Sequence, residues 1–436
     1  MSFAIARHRR LVFSIALVAA ACKLLIAATT TGTNDVSHFK DFADAIRHVG
    51  PVDVYGLHIS HPPYNHPPLT GWLLVGINHL TNLLPFRLLI RSPAIIADVV
   101  TSALIFELVR VRRSLRNATI GALLVACSPV LLIISGFHGN TDPVFVMFAI
   151  LSFYLITRQQ SGVLAGMSFA AAISIKLVPI VCLPVLLLIA ARAGRRRLMS
   201  FAAGAGGLLA LTWGPVIARQ WAGFDQHVLQ YSGYTNPQWG LPEFARLLGV
   251  SPHGMDLLTG PGRFALLALS AGIPLLVLWR RPDLDSEAFG LALVLFLLVS
   301  TASATQYFAW AAAAAVLVDV GAAVIYNLMA GLLLTIVYDR WNGVRWPFGW
   351  DRAYASAYTH REVIVATLVW MTLLAVAVTP LRAKRRDPAM LNPEPASLAR
   401  RARLRSRSMT LVSRAGPVSA GHEFGAGIVA GGKRQL

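Results

Sequence analysis

The chain has 436 residues, 56% of them hydrophobic, and a mean hydropathy of +0.59. These values exclude an ordinary soluble globular protein, because apolar runs long enough to cross a bilayer recur along most of the length. The formal net charge is +19, and the segment 381–436 alone carries twelve Lys and Arg against three acidic residues. Basic residues beside a membrane helix more often set topology and contact anionic lipid than bind nucleic acid, so no nucleic-acid partner is expected.

Thirteen apolar segments follow one another along the chain. They lie near residues 11–29, 69–85, 92–109, 117–137, 143–157, 161–175, 177–191, 198–217, 263–279, 287–303, 306–318, 321–338 and 361–380. Basic residues before the first segment and after the last place both termini in the cytoplasm, which requires an even number of crossings. The sequence therefore predicts an all-α polytopic membrane protein with about twelve transmembrane helices. The segment that does not cross is expected to be 69–85 or, because it contains Pro129, 117–137.

We expect two regions of different character. Residues 1–380 form the transmembrane domain, whereas residues 381–436 are predicted to be a basic, disordered cytoplasmic tail that contacts anionic membrane lipid. On this topology four loops of a multi-pass plasma-membrane protein face the outside: 33–69, 137–142, 218–262 and 339–360. The unusual polar residues of the chain thus gather on the external side.

The first external loop has the composition of a site. It holds four of the twenty acidic residues of the chain and five of its twelve histidines. Apolar residues from Phe39 to Ile46 recur at the i, i+3, i+4, i+7 spacing of one helix face. A helix of about 11 residues is too short to cross a bilayer, so we expect it to lie along the interface and to end at Gly50-Pro51.

A stiff ribbon with the sequence HPPYNHPPL closes this loop. Each Pro-Pro pair forces an extended backbone and removes hydrogen-bond donors, so Tyr64, Asn65 and His66 are presented just above the next apolar segment. A metal cluster of His58, His61 and His66 is one interpretation, although no paired Cys or Glu accompanies them. Phosphate binding by His66 and an ordinary loop histidine are the others.

Asp35 is expected at the water boundary, directly after the first membrane helix. A carboxylate beside a basic and aromatic ribbon suits group transfer from a lipid-anchored donor. The base must meet an acceptor hydroxyl in water, while the donor chain stays in the bilayer. The alternative is a helix-capping or loop-solvating aspartate.

Other polar positions also have two interpretations. Asp142, directly before Pro143, is the N-cap of the next helix, a contributor to the site, or both. Lys176 between two apolar runs either pairs with a lipid phosphate or ends a helix. Trp239 and Trp310 are interface anchors or sugar platforms.

Several short motifs, in order and spacing, resemble the GT-C superfamily of integral-membrane glycosyltransferases. In particular they resemble the bacterial polyprenyl-phosphate-mannose-dependent α-mannosyltransferases. The motifs are Asn34-Asp35, Asn65-His66-Pro67-Pro68-Leu69, His138-Gly139-Asn140-Thr141-Asp142-Pro143, Ser174-Ile175-Lys176-Leu177-Val178-Pro179, Trp239-Gly240-Leu241 and Gln306-Tyr307. The resemblance covers roughly residues 11 to 340 and implies a GT-C-like bundle with an interfacial helix in the first external loop.

The resemblance also implies an activity. It is an inverting hexosyltransferase that moves a sugar, most commonly mannose, from a polyprenyl-phosphate donor to a glycolipid, polysaccharide or protein acceptor on the non-cytoplasmic face. Asp35 would be the general base, and His66 would contact the donor phosphate. The other expected substrate-binding residues are Tyr64, Asn65, His138, Asp142, Lys176, Trp239, Gln306 and Tyr307.

The sequence departs from part of the superfamily because no Asp-x-Asp pair occurs at Asp35. That argues against a metal-bound diphosphate donor and leaves a divalent-metal requirement open, and no other cofactor is expected. A carrier or flippase for lipid-linked sugars is the alternative function. It would share a lipid-phosphate pocket but should carry coupling charges within the membrane, and these are sparse here.

Overall fold

A computed structural model describes residues 2–57, 63–231, 239–345 and 349–382 of the protein. Within these ranges the regular structure is helical, apart from one isolated bridge between Gly32 and Arg352. The predicted tail beyond residue 382 lies outside them, as do His58 and His61 of the considered metal cluster.

The described ranges contain seventeen α-helices. The first nine are Ser2–Thr29 (α1), Asn34–Asp53 (α2), Pro68–Leu80 (α3), Phe86–Arg112 (α4), Leu115–Ala126 (α5), Pro129–Ile133 (α6), Asp142–Thr157 (α7), Gly162–Ile175 (α8) and Leu183–Arg192 (α9). The other eight are Arg195–Phe224 (α10), Leu241–Leu247 (α11), Pro252–Thr259 (α12), Gly262–Arg280 (α13), Asp285–Val299 (α14), Phe308–Val318 (α15), Val320–Asn342 (α16) and His360–Arg382 (α17).

Every predicted apolar segment coincides with one or more of these helices. Within the described ranges, six helical stretches are long and apolar enough to cross a membrane: Phe3–Thr29, Leu115–His138, Arg195–Leu229, Gly262–Arg280, Val320–Asn342 and His360–Pro380. Four shorter apolar stretches pack among them: Asp142–Thr157, Gly162–Ile175, Val178–Arg192 and Thr305–Val318. The prediction of an all-α polytopic membrane protein is therefore confirmed.

The centre of the bundle is formed around α15. All eleven of its residues are buried, and six of them are alanines, which are small enough to let neighbouring helices approach closely. Helices α14 and α16 pack on either side of it, and α4, α6 and α7 contact it as well. Its first turn, preceded by Gln306 and Tyr307, points at the candidate site.

The predicted amphipathic helix of the first loop is present as α2. Its apolar face, which includes Phe39, Phe42 and Ile46, is buried against α3, α4 and α10. On the opposite face Lys40 and Asp44 form an exposed ion pair of 2.6 Å. The helix begins earlier than predicted, because the Thr33 side chain caps it. The break at Gly50 is confirmed, since its φ of +87° is non-helical.

Two sets of contacts fix the segment between α1 and α2. Arg91 of α4 is fully buried, and its guanidinium donates to the carbonyl oxygens of Ala27, Thr30 and Thr31 at 2.7 to 3.1 Å. It thus satisfies the free carbonyls at the end of α1. From the other side, Gly32 exchanges backbone hydrogen bonds with the segment around Asp351, at 2.7 and 2.8 Å. The segment between α1 and α2 leads directly into Asp35.

Candidate active site

Asp35 lies in the first turn of α2 and accepts two hydrogen bonds on the same carboxylate oxygen. His138 Nε2 is 3.0 Å from Oδ2, and Asn140 Nδ2 is 2.7 Å from it. No hydrogen bond to Oδ1 exists within the described ranges, and the side chain retains 22% of its accessible surface. One oxygen is therefore fixed by the protein, while the carboxylate still borders the cavity described below.

Local backbone geometry brings His138 and Asn140 to this carboxylate. The last turn of the α5–α6 stretch, Ile134–His138, is π-helical, and Gly139 then takes a φ of +87°. That left-handed conformation suits glycine. Thr33 joins the two loops, since its hydroxyl accepts from the Asp35 N–H at 3.3 Å and donates to the His138 carbonyl at 2.8 Å. Asp35 is consequently not the helix cap, which was the alternative interpretation.

Opposing influences act on the ionisation of Asp35. Burial raises its pKa, but the attraction of His138 and the hydrogen bonds from His138 and Asn140 outweigh burial and hold the pKa well below its usual range. The helix N-terminus acts in the same direction, because its free N–H groups favour an anion. Asp35 is therefore a carboxylate at neutral pH.

A second carboxylate, Asp142, is fully buried and forms an ion pair of 2.6 Å with Lys176. Its other oxygen accepts from the Trp310 indole at 2.7 Å. Thr141 occupies the N-cap position of α7, so the side chain of Asp142 serves Lys176 and Trp310. Asn140 links the Asp35 carboxylate to the backbone of Asp142, because its amide N–H donates to Asp35 and its oxygen accepts from the Asp142 N–H at 3.1 Å.

Lys176 follows the end of α8 in extended backbone conformation. Its ammonium lies 4.6 Å from the ring centroid of Tyr307 and 5.1 Å from that of Trp310, and these two rings stack on each other. Aromatic faces of this kind stabilise a cation. Both earlier interpretations of Lys176 fit its position, since it ends a helix and also lines the cavity.

His66 also lines the cavity and stacks on Phe39, with 4.9 Å between ring centroids. Burial lowers the pKa of His66 to about 3, with Lys176 acting in the same direction and Asp35 opposing both. The imidazole is therefore neutral at pH 7 in the unliganded protein. A bound anion would favour the protonated imidazole and raise this pKa.

One cavity of about 750 Å³ joins these groups. Its polar lining residues include Asp35, Asn65, His66, Asn140, Lys176, Gln306 and Tyr307. Its apolar lining residues include Leu177, Val178, Ile180, Leu229, Leu266, Leu267, Phe296 and Val299. Such an arrangement fits an amphiphile with an anionic head and a hydrocarbon chain.

The other predicted substrate-binding residues lie behind the wall of this cavity. His138 and Asp142 contact it through Asp35 and Lys176. Tyr64 is buried, with its ring 5.0 Å from that of Tyr55. Trp239 is 2% exposed and stacks on Phe308 with 4.2 Å between centroids, so it packs in the interior.

Two residues of the site were not singled out from the sequence. Arg263, at the start of α13, lines the cavity, and Tyr338 of α16 is hydrogen-bonded to Nδ1 of His138. An arginine at the start of an apolar segment has the pattern of an interface anchor. Tyr338 lies inside an apolar segment, where nothing in the local sequence distinguishes it from a packing residue.

Comparison with known proteins agrees with this architecture. Residues 65–218 match the family described as dolichyl-phosphate-mannose-protein mannosyltransferase. The structure of ArnT from Cupriavidus metallidurans bound to undecaprenyl phosphate is similar, with a TM-score of 0.50 and 16% identity over 85% of this chain and 71% of that chain. No curated protein sequence matches the chain.

The archaeal oligosaccharyltransferase AglB from Archaeoglobus fulgidus, in complex with an inhibitory peptide and a dolichol-phosphate, aligns with a TM-score of 0.33 and 14% identity. That alignment covers 87% of this chain and 56% of AglB. The family match and the fold shared with ArnT confirm the resemblance found in the motifs. The chain is a polytopic membrane protein whose fold is similar to that of ArnT.

Proposed function

We propose that the protein transfers a sugar from a polyprenyl-phosphate donor to an acceptor hydroxyl. The observation that carries this proposal is the single cavity whose wall combines an ionised carboxylate, cationic side chains and a series of aliphatic side chains. ArnT, which shares the fold, is described with undecaprenyl phosphate bound. The family that matches residues 65–218 is named for transfer from dolichyl-phosphate-mannose.

The donor phosphate is assigned to the space between His66, Lys176 and Arg263. Lys176 is already neutralised by Asp142 at 2.6 Å. Arg263 is half-buried, forms no hydrogen bond or ion pair within the described ranges, and has its guanidinium 4.8 Å from the centroid of the adjacent Phe264 ring. An uncompensated guanidinium that lines the same cavity as His66 provides charge-assisted donors for a phosphodiester. The isoprenoid chain then extends along Leu177, Ile180 and the other aliphatic residues of the wall.

The chemistry follows from the two oxygens of Asp35. Oδ2 is held by His138 and Asn140, so Oδ1 is the oxygen offered to an acceptor hydroxyl. The hydroxyl oxygen forms a bond to the anomeric carbon, while the bond from that carbon to the phosphate oxygen breaks. The hydroxyl proton goes to Asp35, and polyprenyl phosphate leaves with the electron pair. Attack opposite to the leaving group inverts the anomeric configuration.

Asp35 is a weak base in the unliganded protein because its pKa is low. A weak base suffices if the proton departs late, after the new bond has made the hydroxyl acidic. Before that point the carboxylate orients the hydroxyl. His138 and Asn140 keep the carboxylate ionised and in place until the acceptor arrives.

For the sugar we propose mannose, on the ground of the family name alone. A glycolipid, polysaccharide or protein acceptor each offers the hydroxyl that the mechanism needs. We also propose that transfer requires no divalent metal, because Arg263, which no described carboxylate neutralises, lines the same cavity. Transfer that is unaffected by a chelator such as EDTA is the corresponding expectation.

We place the site on the external face of the plasma membrane, with both termini in the cytoplasm, on the basis of the positive-inside bias. Single cysteines at Lys40 and Tyr354 in a cysteine-free background should react with an impermeant thiol reagent on intact cells. A cysteine at Gln159 should not react until the cells are opened. The reverse pattern would place Asp35 in the cytoplasm and refute this orientation.

The activity itself is tested with purified protein in detergent. Radiolabelled polyprenyl-phosphate sugars are mixed with membrane lipids or cell-wall fragments, and labelled product is measured. We expect time-dependent transfer of label from mannosyl donor. Absence of product with every donor and acceptor, together with flipping of the same lipids in liposomes, would support a carrier and contradict the proposal.

A further inference from the structure

A second cavity lies at the opposite ends of α1 and α4 from Asp35. Its volume is about 700 Å³, and it is lined by residues of α1, α4 and α7. On α4, Arg91 beside the active-site loop and Arg110 beside this cavity are 19 residues apart, since 110 − 91 = 19. A helix rises about 1.5 Å per residue, so they are separated by about 28 Å, close to the thickness of the hydrocarbon core. The cavity is therefore at the other membrane face.

One part of this cavity is apolar. Phe13 and Ala16 of α1 and Val99 and Ala103 of α4 line it. Phe13 is 51% exposed on the outer surface of α1, so this wall continues onto a helix face that the bilayer covers. The small side chains of Ala16 and Ala103 leave room between the helices for hydrocarbon.

The other part of the cavity is cationic. Arg9 and Arg110 share the carboxylate of Glu107, with N to O distances of 2.7 and 2.6 Å. Arg10 also lines the cavity, is exposed, and has no ion-pair partner within the described ranges. Three guanidiniums thus face one carboxylate. By contrast, Arg112 near the same membrane face is paired one to one with Asp285, at 2.5 Å.

We propose that this cavity binds an anionic glycerophospholipid. Its headgroup phosphate contacts Arg10 and the guanidiniums of Arg9 and Arg110, and the first carbons of an acyl chain lie along Phe13 and Ala16. Guanidinium groups bind phosphate through paired N–H donors. Basic pockets between membrane helices at the cytoplasmic side bind such headgroups, and the cytoplasmic leaflet contains anionic phospholipids. This proposal stands apart from the active-site assignment.

The test uses the full-length protein and native mass spectrometry with phosphatidylglycerol against phosphatidylcholine. Each surface arginine contributes about a fivefold change in affinity for anionic lipid. We expect Arg10→Gln to weaken phosphatidylglycerol retention by about that factor, and Arg7→Gln to leave it unchanged. Arg7 is exposed on the same helix but does not line the cavity, so it is a matched charge control.

A second variant is expected to change phosphatidylglycerol retention in the opposite direction. Glu107→Gln releases two guanidiniums from their carboxylate and should strengthen phosphatidylglycerol retention. Equal losses in Arg7→Gln and Arg10→Gln would overturn the proposal, because binding would then reflect the charge of the N-terminus in general. Unchanged retention in both Arg10→Gln and Glu107→Gln would overturn it as well. Displacement of phosphatidylglycerol by equimolar undecaprenyl phosphate would instead assign the cavity to a polyprenyl lipid.

Discussion

The imidazole of His138 is held at both nitrogens, by Asp35 on one side and by a tyrosine on the other. Nε2 lies 3.0 Å from the Asp35 carboxylate, and Nδ1 is hydrogen-bonded to the Tyr338 hydroxyl. A ring fixed in this way has one orientation and one favoured tautomer. It therefore fixes the position of Asp35 and, by attraction and hydrogen bonding, opposes the effect of burial on its pKa.

This relationship predicts a change in pH dependence. Transfer requires Asp35 to be ionised, and His138→Ala removes an influence that lowers the pKa of Asp35, so burial will raise that pKa. The acid limb of the kcat/KM profile should move to higher pH. His138→Gln, which retains an N–H donor, should move it less. An acid limb that is the same in wild type and His138→Ala would contradict this account.

His66 predicts a second pH effect, on donor binding. Its pKa is about 3 in the unliganded protein, so it is neutral at pH 7. A bound phosphodiester favours the protonated ring, and the pKa of His66 is then higher in the complex. Donor affinity should rise as the pH falls from neutral toward the pKa of the free protein. Since a phosphodiester keeps one negative charge throughout this range, the KM for the donor reports on the protein.

The matching variant is His66→Gln, which keeps a donor but does not titrate. Its donor KM should be higher than that of wild type at acidic pH and should depend little on pH. A wild-type KM that increases on acidification would refute phosphate contact by His66.

Arg263 should contribute to donor binding without stabilising the fold. It is half-buried at the start of α13 and pairs with no described carboxylate. A hydrogen bond to a charged group is worth about 1.5 to 3 kcal/mol, so Arg263→Gln should raise donor KM by about tenfold or more. The melting temperature should not change. Arg280→Gln, at the exposed other end of the same helix, is the control and should leave KM unaltered.

The segment that leads into Asp35 should tolerate no side chain at Gly32. A Cβ there would lie 1.8 Å from Nη2 of the buried Arg91 and 2.6 Å from the Phe137 carbonyl oxygen, and the φ of Gly32 is +93°. We expect Gly32→Ala to lower both thermal stability and transfer rate. Gly50→Ala is the control that introduces backbone strain without a steric clash, because Gly50 has a φ of +87° and open space around its Cβ position. Equal effects of the two substitutions would show that Arg91 is not involved.

The sequence alone was sufficient for features that depend on local pattern. The apolar face of α2 from Phe39 to Ile46 is buried as predicted, because the 3.6-residue period leaves that helix only one apolar side. The order of motifs was also enough to predict that Asp35, His66 and Lys176 would share a site, and the structure brings all three to one cavity. Their chemical roles remain predictions.

Features that depend on tertiary contacts were not predictable in this way. From the sequence, Asp142 fitted a helix cap and a site residue equally well. Only its contacts with Lys176 and Trp310 distinguish the two interpretations. An aromatic residue such as Trp239 is of the type that binds sugars, yet Trp239 packs on Phe308. The sequence could not predict this, because neither hydropathy nor spacing shows which side chains of a loop turn inward. Arg263 joins the cavity through the packing of α13, which is distant in sequence from the first loop.

The most direct test of the central claim is the rate of sugar transfer by Asp35→Asn. Loss of a general base typically lowers the rate by about 10² to 10⁴-fold. We expect a loss in that range, with donor KM and melting temperature close to those of wild type. Asp41→Asn, on the exposed face of the same helix, should be fully active. An Asp35→Asn protein that retains more than about a tenth of wild-type transfer would contradict the assignment of Asp35 as the base.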